Sequence, residues 1–341
     1  MLEGEQNNLI MKKYFIFALA ALGMFACTGQ NNPENPSQPT GKTIEGELTG
    51  AISVSPSKKV HFSQGNLQYQ ASTDTWRFAK EQYHYIGMSA KPSSTYSGWI
   101  DLYSWGASGY NGRYPYLNLN DYYKNKDIED PLQTDICGTN YDWGVYNKIS
   151  NGGNAAGLWR TLTDEEWQYI FLKRKDAEYL FGLGIVNGMN GLIILPDDWN
   201  TPSGLTFNAS TTKGMVWKDT RKQKGNSAKY IMLEGDYEYG YYNPNPNANN
   251  YNDNLYTSSE WSIMENAGAV FLPALLDGDT ERFPDAVGII GGYWASTFLK
   301  KTSKEIYDSW GCYLSFYKNH VGFNSSAIIS QYGVRLVRDI E

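Results

Sequence analysis

Apolar and polar side chains alternate over Lys59–Tyr69, and a second run with apolar side chains follows over Trp76–Phe78. Alternation with a period of two residues is typical of a strand that buries one face. Ser72–Asp74 separates the two runs and has the composition of a turn. This part of the chain therefore predicts a β-hairpin.

The following segment, Tyr83–Tyr146, is rich in Tyr, Gly and Asn and shows no helical period. It predicts a long ordered loop region, and such regions are uncommon in a compact domain unless they have a function. Asn243–Asn254 is a second loop, of low complexity and rich in Asn, Pro and Tyr.

Two short helices are predicted. Thr163 stands three residues before Glu166, which is the spacing of a capping box, and an apolar stripe follows over Trp167–Leu172. The second helix is expected over Ser258–Asn266.

Short apolar runs predict five further strands, at Gly191–Pro196, Val270–Pro273, Gly292–Ser296, Gly311–Phe316 and Val334–Arg338.

Aromatic residues make up 15% of the chain, with 27 Tyr and 11 Trp. Abundant Tyr, Asn, Ser and Gly are typical of recognition surfaces, because tyrosine offers rigid amphipathic area and the small polar groups adapt. A β-rich fold with many turns favours the same residues, so composition leaves both interpretations open. The net charge is −7, and an acidic chain without a basic stripe argues against binding to nucleic acid.

The N-terminal segment has the layout of an export signal. Lys12 and Lys13 precede an apolar run over Tyr14–Ala26, and its 13 residues are too few for a membrane span, which needs roughly 20. Because Met1–Ile10 precedes the charged pair, Met11 is the expected start. The cysteine that follows, Cys27, resembles the acylated cysteine of a bacterial lipobox.

The lipobox resemblance implies cleavage before Cys27, diacylation of its sulfur and an anchor in the cell envelope, at the outer membrane. An ordinary signal peptide that contains a cysteine is the alternative. Thr28–Thr43 is polar and rich in Pro, so we expect a flexible tether. The predicted parts are residues 1–26 as over-extended start and signal peptide, residues 27–50 as lipidated cysteine and tether, and residues 51–341 as one ligand-binding domain.

Four segments carry a family resemblance. Leu158–Trp167 resembles the W-R-L-P-T-x-x-E-W segment of formylglycine-generating-enzyme-like and Fibrobacter major-paralogous-type domains, and Phe271–Ala274, Gly292–Thr297 and Gly333–Asp339 are similar to later segments in the same order. The resemblance implies an α+β, C-type-lectin-like fold with two short helices, small antiparallel sheets and long ordered loops. In that fold the N- and C-terminal strands pair and the loops bind the ligand.

The enzymatic and calcium-dependent branches of this superfamily fit poorly. Formylglycine-generating enzymes use a pair of cysteines near the C-terminus, where this chain has Cys312 alone. The Glu-Pro-Asn, Gln-Pro-Asp and Trp-Asn-Asp motifs of calcium-dependent lectins do not occur, although Asp197, Asp198, Asp277 and Asp279 offer carboxylates. We therefore expect no enzyme activity, no cofactor and no metal. Whether Cys137 and Cys312 form a disulfide stays open.

A third branch, resembling Bacteroides surface lipoproteins and retroelement-diversified variable proteins, implies a binding surface on the segments after Gly292–Thr297. We expect exposed positions at Phe298–Asp308 and Tyr317–Gln331, between neighbouring strands Gly292–Ser296, Gly311–Phe316 and Val334–Arg338, for an unknown protein or glycan ligand. The candidate ligand-binding residues are Lys300, Lys301, Glu305, Tyr307, Tyr317, Asn319, His320, Phe323 and Asn324. A structural or adhesive surface component without a dedicated site is the alternative.

The tryptophans of these motifs are predicted to serve the core. Trp159, Trp167, Trp261 and Trp294 each lie in or beside an apolar segment that would pack a helix or a loop on a sheet. We expect them to be buried anchors and not ligand contacts.

Overall fold

The computed structural model describes residues 44–87, 93–117, 132–209, 250–275, 288–300, 309–318 and 320–340. It also describes the backbone of four short strands between residues 216 and 244. At residue 300 the backbone alone is described.

Three α-helices lie in the described residues, α1 (Trp143–Tyr146), α2 (Asp164–Leu172) and α3 (Ser258–Asn266). The first ten strands are β1 (Ile52–Ser53), β2 (Lys59–Phe62), β3 (Leu67–Gln70), β4 (Thr75–Phe78), β5 (Tyr103–Ser104), β6 (Arg160–Thr161), β7 (Phe181–Val186), β8 (Met189–Ile194), β9 (Val216–Asp219) and β10 (Lys229–Met232). The others are β11 (Gly235–Glu238), β12 (Tyr241–Pro244), β13 (Leu255–Tyr256), β14 (Val270–Pro273), β15 (Gly291–Lys300), β16 (Ser309–Tyr317), β17 (His320–Ala327), β18 (Gln331–Tyr332) and β19 (Leu336–Ile340). Short 3₁₀ turns cover Ala71–Thr73, Tyr110–Gly112, Ala177–Tyr179 and Asn250–Asp253.

These elements make a mixed α+β fold of small, mainly antiparallel sheets, as the sequence predicted at that level. The predicted hairpin is present as β3 and β4, and it turns through the 3₁₀ segment Ala71–Thr73 and Asp74. The first half of its predicted first arm is wrong, because Lys59–Phe62 forms the separate strand β2, which pairs with β1 and β19. The predicted loop region contains little regular structure in its described part, mainly β5 and α1. None of the described helices combines the length and the hydropathy needed to span a membrane.

The last strand, β19, pairs with β2, and β2 pairs in turn with the first strand, β1. One sheet has the order β1-β2-β19-β6, and antiparallel pairing places Val337 opposite Phe62. The expectation that the last strand neighbours the strands at Gly292–Ser296 and Gly311–Phe316 is wrong. Those strands belong to a separate sheet, and β15 meets the segment before β19 through a single bridge between Tyr293 and Gly333.

The larger sheet has five strands in the order β15-β16-β17-β10-β9. Its third strand, β17, lies in the segment Tyr317–Gln331 that the sequence interpreted as an exposed loop, so that interpretation is wrong for His320–Ala327. The strand pairs along its length with β16 and also with β10. Long-range pairing therefore gives strand structure to a segment rich in Gly, Ser and Asn.

Among the described residues, three clusters of buried side chains form the core. The largest lies between the inner face of the five-stranded sheet, α2 and strands β2, β7, β8 and β14. A second cluster is rich in Trp and Tyr, and a third surrounds α3. The four predicted anchors are each at most 1% exposed, which confirms their burial: Trp159, Trp167, Trp261 and Trp294.

Both longer helices begin with a capping box. Thr163 Oγ1 accepts a hydrogen bond from the Glu166 amide at 3.1 Å, and Glu166 Oε2 accepts one from the Thr163 amide at 2.9 Å. These contacts confirm the predicted start of α2. At α3 the same pattern joins Thr257 and Glu260, so two backbone donors that a helix start leaves unpaired are satisfied in each case.

Arg160 ties three elements together inside the fold. Its guanidinium donates to Glu166 Oε2 at 2.7 Å and Oε1 at 2.8 Å, and to the Asp339 carboxylate at 2.6 to 3.1 Å. Strand β6, helix α2 and strand β19 are joined by this one side chain.

Cys137 and Cys312 do not form a disulfide with each other. Cys312 lies on β16 with its side chain in the largest core cluster, and it forms no disulfide. The Cys137–Cys312 bridge that the sequence left open is therefore absent.

Asp101 gives a testable dependence of stability on pH. Its carboxylate is fully buried and accepts from the amides of Ile86 at 2.6 Å and Gly87 at 3.0 Å. Burial raises the pKa of Asp101 to about 7, although these amides favour the charged form. Between about pH 4, where an unfolded Asp titrates, and pH 7, the folded state binds the extra proton, so this group lowers stability as the pH rises.

We expect the free energy of unfolding to fall from pH 5 to pH 7 more steeply in the wild type than in Asp101→Asn. The difference in slope should reach at most about 1.4 kcal/mol per pH unit. Urea denaturation over this range measures it. Burial raises the pKa of Asp142 to about 6 and lowers that of His320, but both groups are present in both proteins. The comparison therefore isolates Asp101, and parallel slopes would refute the assignment.

Candidate functional site

One face of the hairpin β16–β17 presents a row of polar and aromatic side chains. We call Tyr313, Ser315, Tyr317, His320 and Asn324 the hairpin face. The register places Tyr317 opposite His320 and Tyr313 opposite Asn324, and directly opposed residues project to the same side of a sheet. The alternate residues of both strands lie in the largest core cluster.

Direct contacts order the hairpin face. The ring centroids of Tyr317 and His320 are 5.8 Å apart, and Lys318 Nζ lies 5.6 Å from the Tyr317 centroid. Asn324 Nδ2 donates to Ser315 Oγ at 2.6 Å. Tyr317, His320 and Asn324 are all half-buried, so each is held by its neighbours and still reaches the surface.

The hairpin face rests on a stack of aromatic rings. Tyr313 stacks on Tyr332 with centroids 4.3 Å apart at 15°, and Tyr332 meets the buried Trp294 edge-on at 4.6 Å. The positions Gly292 and Gly311 make this packing feasible, because a Cβ would lie 2.4 Å from Tyr332 Cδ1 or 2.6 Å from Trp105 Cδ1. The base of the face is therefore rigid.

His320 is neutral at physiological pH. Burial lowers the pKa of His320 to about 4. A neutral imidazole carries no charge, so His320 does not offer a positive charge to an anion.

The structure separates the candidate residues. Phe323 is 3% exposed and packs 5.9 Å from Phe171 in the core, because the register places it opposite Leu314. Its predicted exposure is therefore wrong. Tyr317, His320 and Asn324 share the hairpin face. Lys300 is the last residue of β15, and its side chain lies outside the described part of the structure. The remaining candidates lie wholly outside the described residues: Cys27, Lys301, Glu305, Tyr307 and Asn319.

A second group of surface side chains lies in the long loop region. We call Tyr110, Tyr114, Tyr116, Tyr141 and Tyr146 the tyrosine surface. Tyr114 and Tyr116 stack with centroids 5.1 Å apart at 9°. The ring of Tyr110 meets Tyr141 at 5.1 Å and Tyr146 at 5.3 Å, both edge-on. Tyr114 is 37% exposed and Tyr146 is 42% exposed.

Buried side chains hold these loops in place. Trp143 Nε1 donates to the Ala107 carbonyl at 2.9 Å, and Asn147 Nδ2 donates to the Ser108 carbonyl at 2.9 Å. The buried Asp142 caps α1 and also accepts from Thr161 Oγ1 at 2.9 Å. Loops fixed by such contacts present their surface residues in one arrangement.

Sequence reasoning did not single out these tyrosines. The available signals were the length of the Tyr83–Tyr146 loop region and the spacing of aromatic residues over Tyr110–Tyr116. Neither signal tells which rings are buried, because Tyr103 in the same region is fully buried while Tyr114 is exposed.

Asp197 and His61 each have structural partners. The Asp197 carboxylate accepts a hydrogen bond from Ser53 Oγ at 2.6 Å and forms an ion pair with Lys59 Nζ at 3.0 Å. His61 Nδ1 lies 2.7 Å from the Leu48 carbonyl oxygen. Asp277 and Asp279 fall outside the described residues. Within the described ranges, no group of three or more His, Cys, Asp or Glu side chains could hold a metal ion.

Comparison with known proteins identified no relative of this chain. The chain matches no protein-family model, no curated protein and no solved structure.

Proposed function

We propose that this chain is a lipoprotein of the cell envelope whose domain, of C-type-lectin-like type, binds a protein or glycan ligand. The hairpin face carries the proposal, because Tyr317, His320 and Asn324 lie on one side of a strand pair whose other side is core. Tyrosine and asparagine on a rigid frame are typical of recognition surfaces.

Several features of the fold support a C-type-lectin-like domain. Strand β2 pairs with the last strand, β19, the helices are short, and described segments with little regular structure connect small sheets. The hairpin lies next to β15, which contains the Gly292–Thr297 motif. Under this proposal the candidate residues of Phe298–Asp308 would extend the hairpin face.

Retroelement diversification is part of the proposal. It predicts a reverse-transcriptase gene nearby, with an imperfect copy of the DNA that encodes Gly292–Asp339. A genomic locus that lacks both would remove this element and leave the binding proposal intact.

The binding proposal predicts the effect of changing the hairpin face. We expect the double variant Tyr317→Ala/Asn324→Ala to bind the ligand at least tenfold more weakly, since tyrosines held in well-packed positions are frequent binding hot spots. The lipid-free full chain would be applied to an array of glycans and an array of cell-surface protein ectodomains. Affinity for each retained ligand is then measured with both proteins.

A matched control is Tyr179→Ala, which removes a tyrosine that is 59% exposed on another part of the chain. It should bind like the wild type. Equal affinity of the wild type and the double variant for every ligand would exclude the hairpin face.

Lipidation is a separate prediction about Cys27, which lies outside the described residues. Labelled palmitate should enter the wild-type protein and be absent from Cys27→Ala. More than one acyl chain is needed for stable anchoring, because a single chain binds a membrane only weakly. Equal labelling of both proteins would show that the cysteine is not the lipid attachment site.

A further inference from the structure

The strand pair β3–β4 carries an arginine whose charge is not balanced by a carboxylate. Arg77 Nε donates to Gln68 Oε1 at 2.9 Å, and the guanidinium lies 3.6 Å from the centroid of the Trp99 ring. In the part of the chain that the structure describes, this guanidinium forms no ion pair. We propose that Arg77, Gln68 and Trp99 form a binding site for the carboxylate group of a small ligand.

Contacts from two neighbouring segments fix the guanidinium. The register places Arg77 directly opposite Gln68, so both side chains project to the same side of the strand pair, while the next residue of β3, Tyr69, belongs to the core. Ile100 exchanges two backbone hydrogen bonds with Tyr69, each 2.8 Å long, which places its neighbour Trp99 beside β3. The arginine is therefore held in position before a ligand binds, and such preorganisation lowers the entropy cost of binding.

The arrangement leaves hydrogen-bond donors for a ligand. Arg77 and Trp99 are half-buried and reach the surface, whereas Gln68 is 4% exposed. Gln68 takes up the Nε–H group of Arg77, and no described residue accepts from the two terminal Nη groups. A guanidinium edge can donate two parallel hydrogen bonds to the two oxygens of a carboxylate. The free edge of Arg77 has the chemistry of such a site.

The unbalanced charge distinguishes Arg77 from three other arginines. Arg160, Arg174 and Arg338 each form an ion pair with a carboxylate of the chain. Burial lowers the pKa of Arg77, and no described carboxylate counteracts this effect, but an arginine still stays protonated at neutral pH.

The single cation favours a carboxylate over a phosphate. A carboxylate carries one negative charge, which one guanidinium balances, whereas a phosphate group carries about 1.5 to 2 at neutral pH. A sugar acid and an acidic amino acid supply the same carboxylate chemistry, and the experiment distinguishes these two sources. The site lies outside the five-stranded sheet, so the inference does not rest on the hairpin face.

Nuclear magnetic resonance of the lipid-free full chain tests the proposal. The probes are glucuronate, N-acetylglutamate α-amide and inorganic phosphate, and the neutral controls are glucuronamide and N-acetylglutamine amide. We expect at least one of the two carboxylates to shift the indole N–H signal of Trp99 in a saturable way, and its neutral amide to leave the signal in place. The carboxylate that binds more tightly identifies the source.

Substitutions at the guanidinium give a second measurement. Arg77→Lys keeps the positive charge but lacks the two-pronged donor edge, so it should bind the carboxylate at least tenfold more weakly. Lys80→Gln is the matched control, because it removes an exposed positive charge that lies close to Arg77 in the sequence. It should bind like the wild type. Near-ultraviolet circular dichroism checks that each variant is folded.

Three results would overturn the proposal. They are the absence of a saturable shift with either carboxylate, tighter binding of phosphate than of both carboxylates, and unchanged affinity in folded Arg77→Lys. The first two concern the wild-type protein and do not depend on the folding of a variant. None of them bears on the hairpin face, whose ligands are measured with Tyr317→Ala/Asn324→Ala.

Discussion

Replacing Arg160 with methionine is expected to lower the free energy of unfolding by roughly 3–5 kcal/mol. Arg160 is 7% exposed and neutralises Glu166, which is 8% exposed. Its removal leaves the Glu166 carboxylate buried without a cation, and that desolvation cost is the main source of the loss. The lost contact with Asp339 contributes less to the decrease in stability, because the Asp339 side chain is 45% exposed and water can replace the contact.

Urea denaturation at pH 7 measures this effect, and Lys59→Met is the matched control. Lys59 Nζ pairs with Asp197 at 3.0 Å, but the lysine side chain is 51% exposed. An exposed pair contributes about 0–1 kcal/mol, so Lys59→Met should have a small effect. Similar small losses in the two variants would contradict the role given to Arg160.

Trp294→Ala is expected to destabilise the domain by about 3–5 kcal/mol, the range for truncating a buried aromatic side chain. Trp294 is fully buried, contacts Tyr313 and Tyr332, and donates from Nε1 to the Tyr103 carbonyl at 2.6 Å. The change leaves a cavity under the hairpin face and removes the hydrogen bond to the Tyr103 carbonyl.

The control for Trp294 is Trp99→Ala, since Trp99 is half-buried and its ring lies against the Arg77 guanidinium at 3.6 Å. Trp99→Ala should lower the free energy of unfolding clearly less than Trp294→Ala does. Both variants would be compared by urea denaturation and by ligand binding. A Trp294→Ala protein with unchanged stability and abolished binding would mean that Trp294 is a ligand contact and not a core anchor.

Local sequence signals predicted the elements whose cause is local. The capping box of Thr163 and Glu166 involves residues three apart, and the turn at Ser72–Asp74 lies within one hairpin, so both could be recognised without knowledge of the fold. The apolar run Val270–Pro273 matches β14 at both ends, because its four residues are buried on both faces and leave little ambiguity.

Strand β17 escaped prediction for a physical reason. Between His320 and Ala327, Val321 and Phe323 are the large apolar residues that face the core, and the outward positions are occupied by Gly, Asn and Ser. Such a sequence has a weak strand preference on its own. Pairing with β16 and β10 decides its structure, and that pairing also determines which candidate residues are exposed.

The same reasoning applies to the candidate sites. A sequence argument identified Tyr317 and His320 as members of one surface, because a tight turn between them was visible. It could not exclude Phe323, whose burial depends on the register with Leu314. It also could not find the tyrosine surface, where exposure depends on how loops from distant parts of the chain pack on Trp105 and Trp143.

Site-directed photo-cross-linking tests the central claim, recognition through the hairpin face, most directly. A p-benzoylphenylalanine would replace Tyr317 in one protein and Tyr179 in another, and each would be irradiated with a ligand retained on the arrays. We expect a covalent adduct to the ligand from position 317 and none from position 179. An adduct from position 179 alone, or from neither position while the ligand is bound, would contradict it.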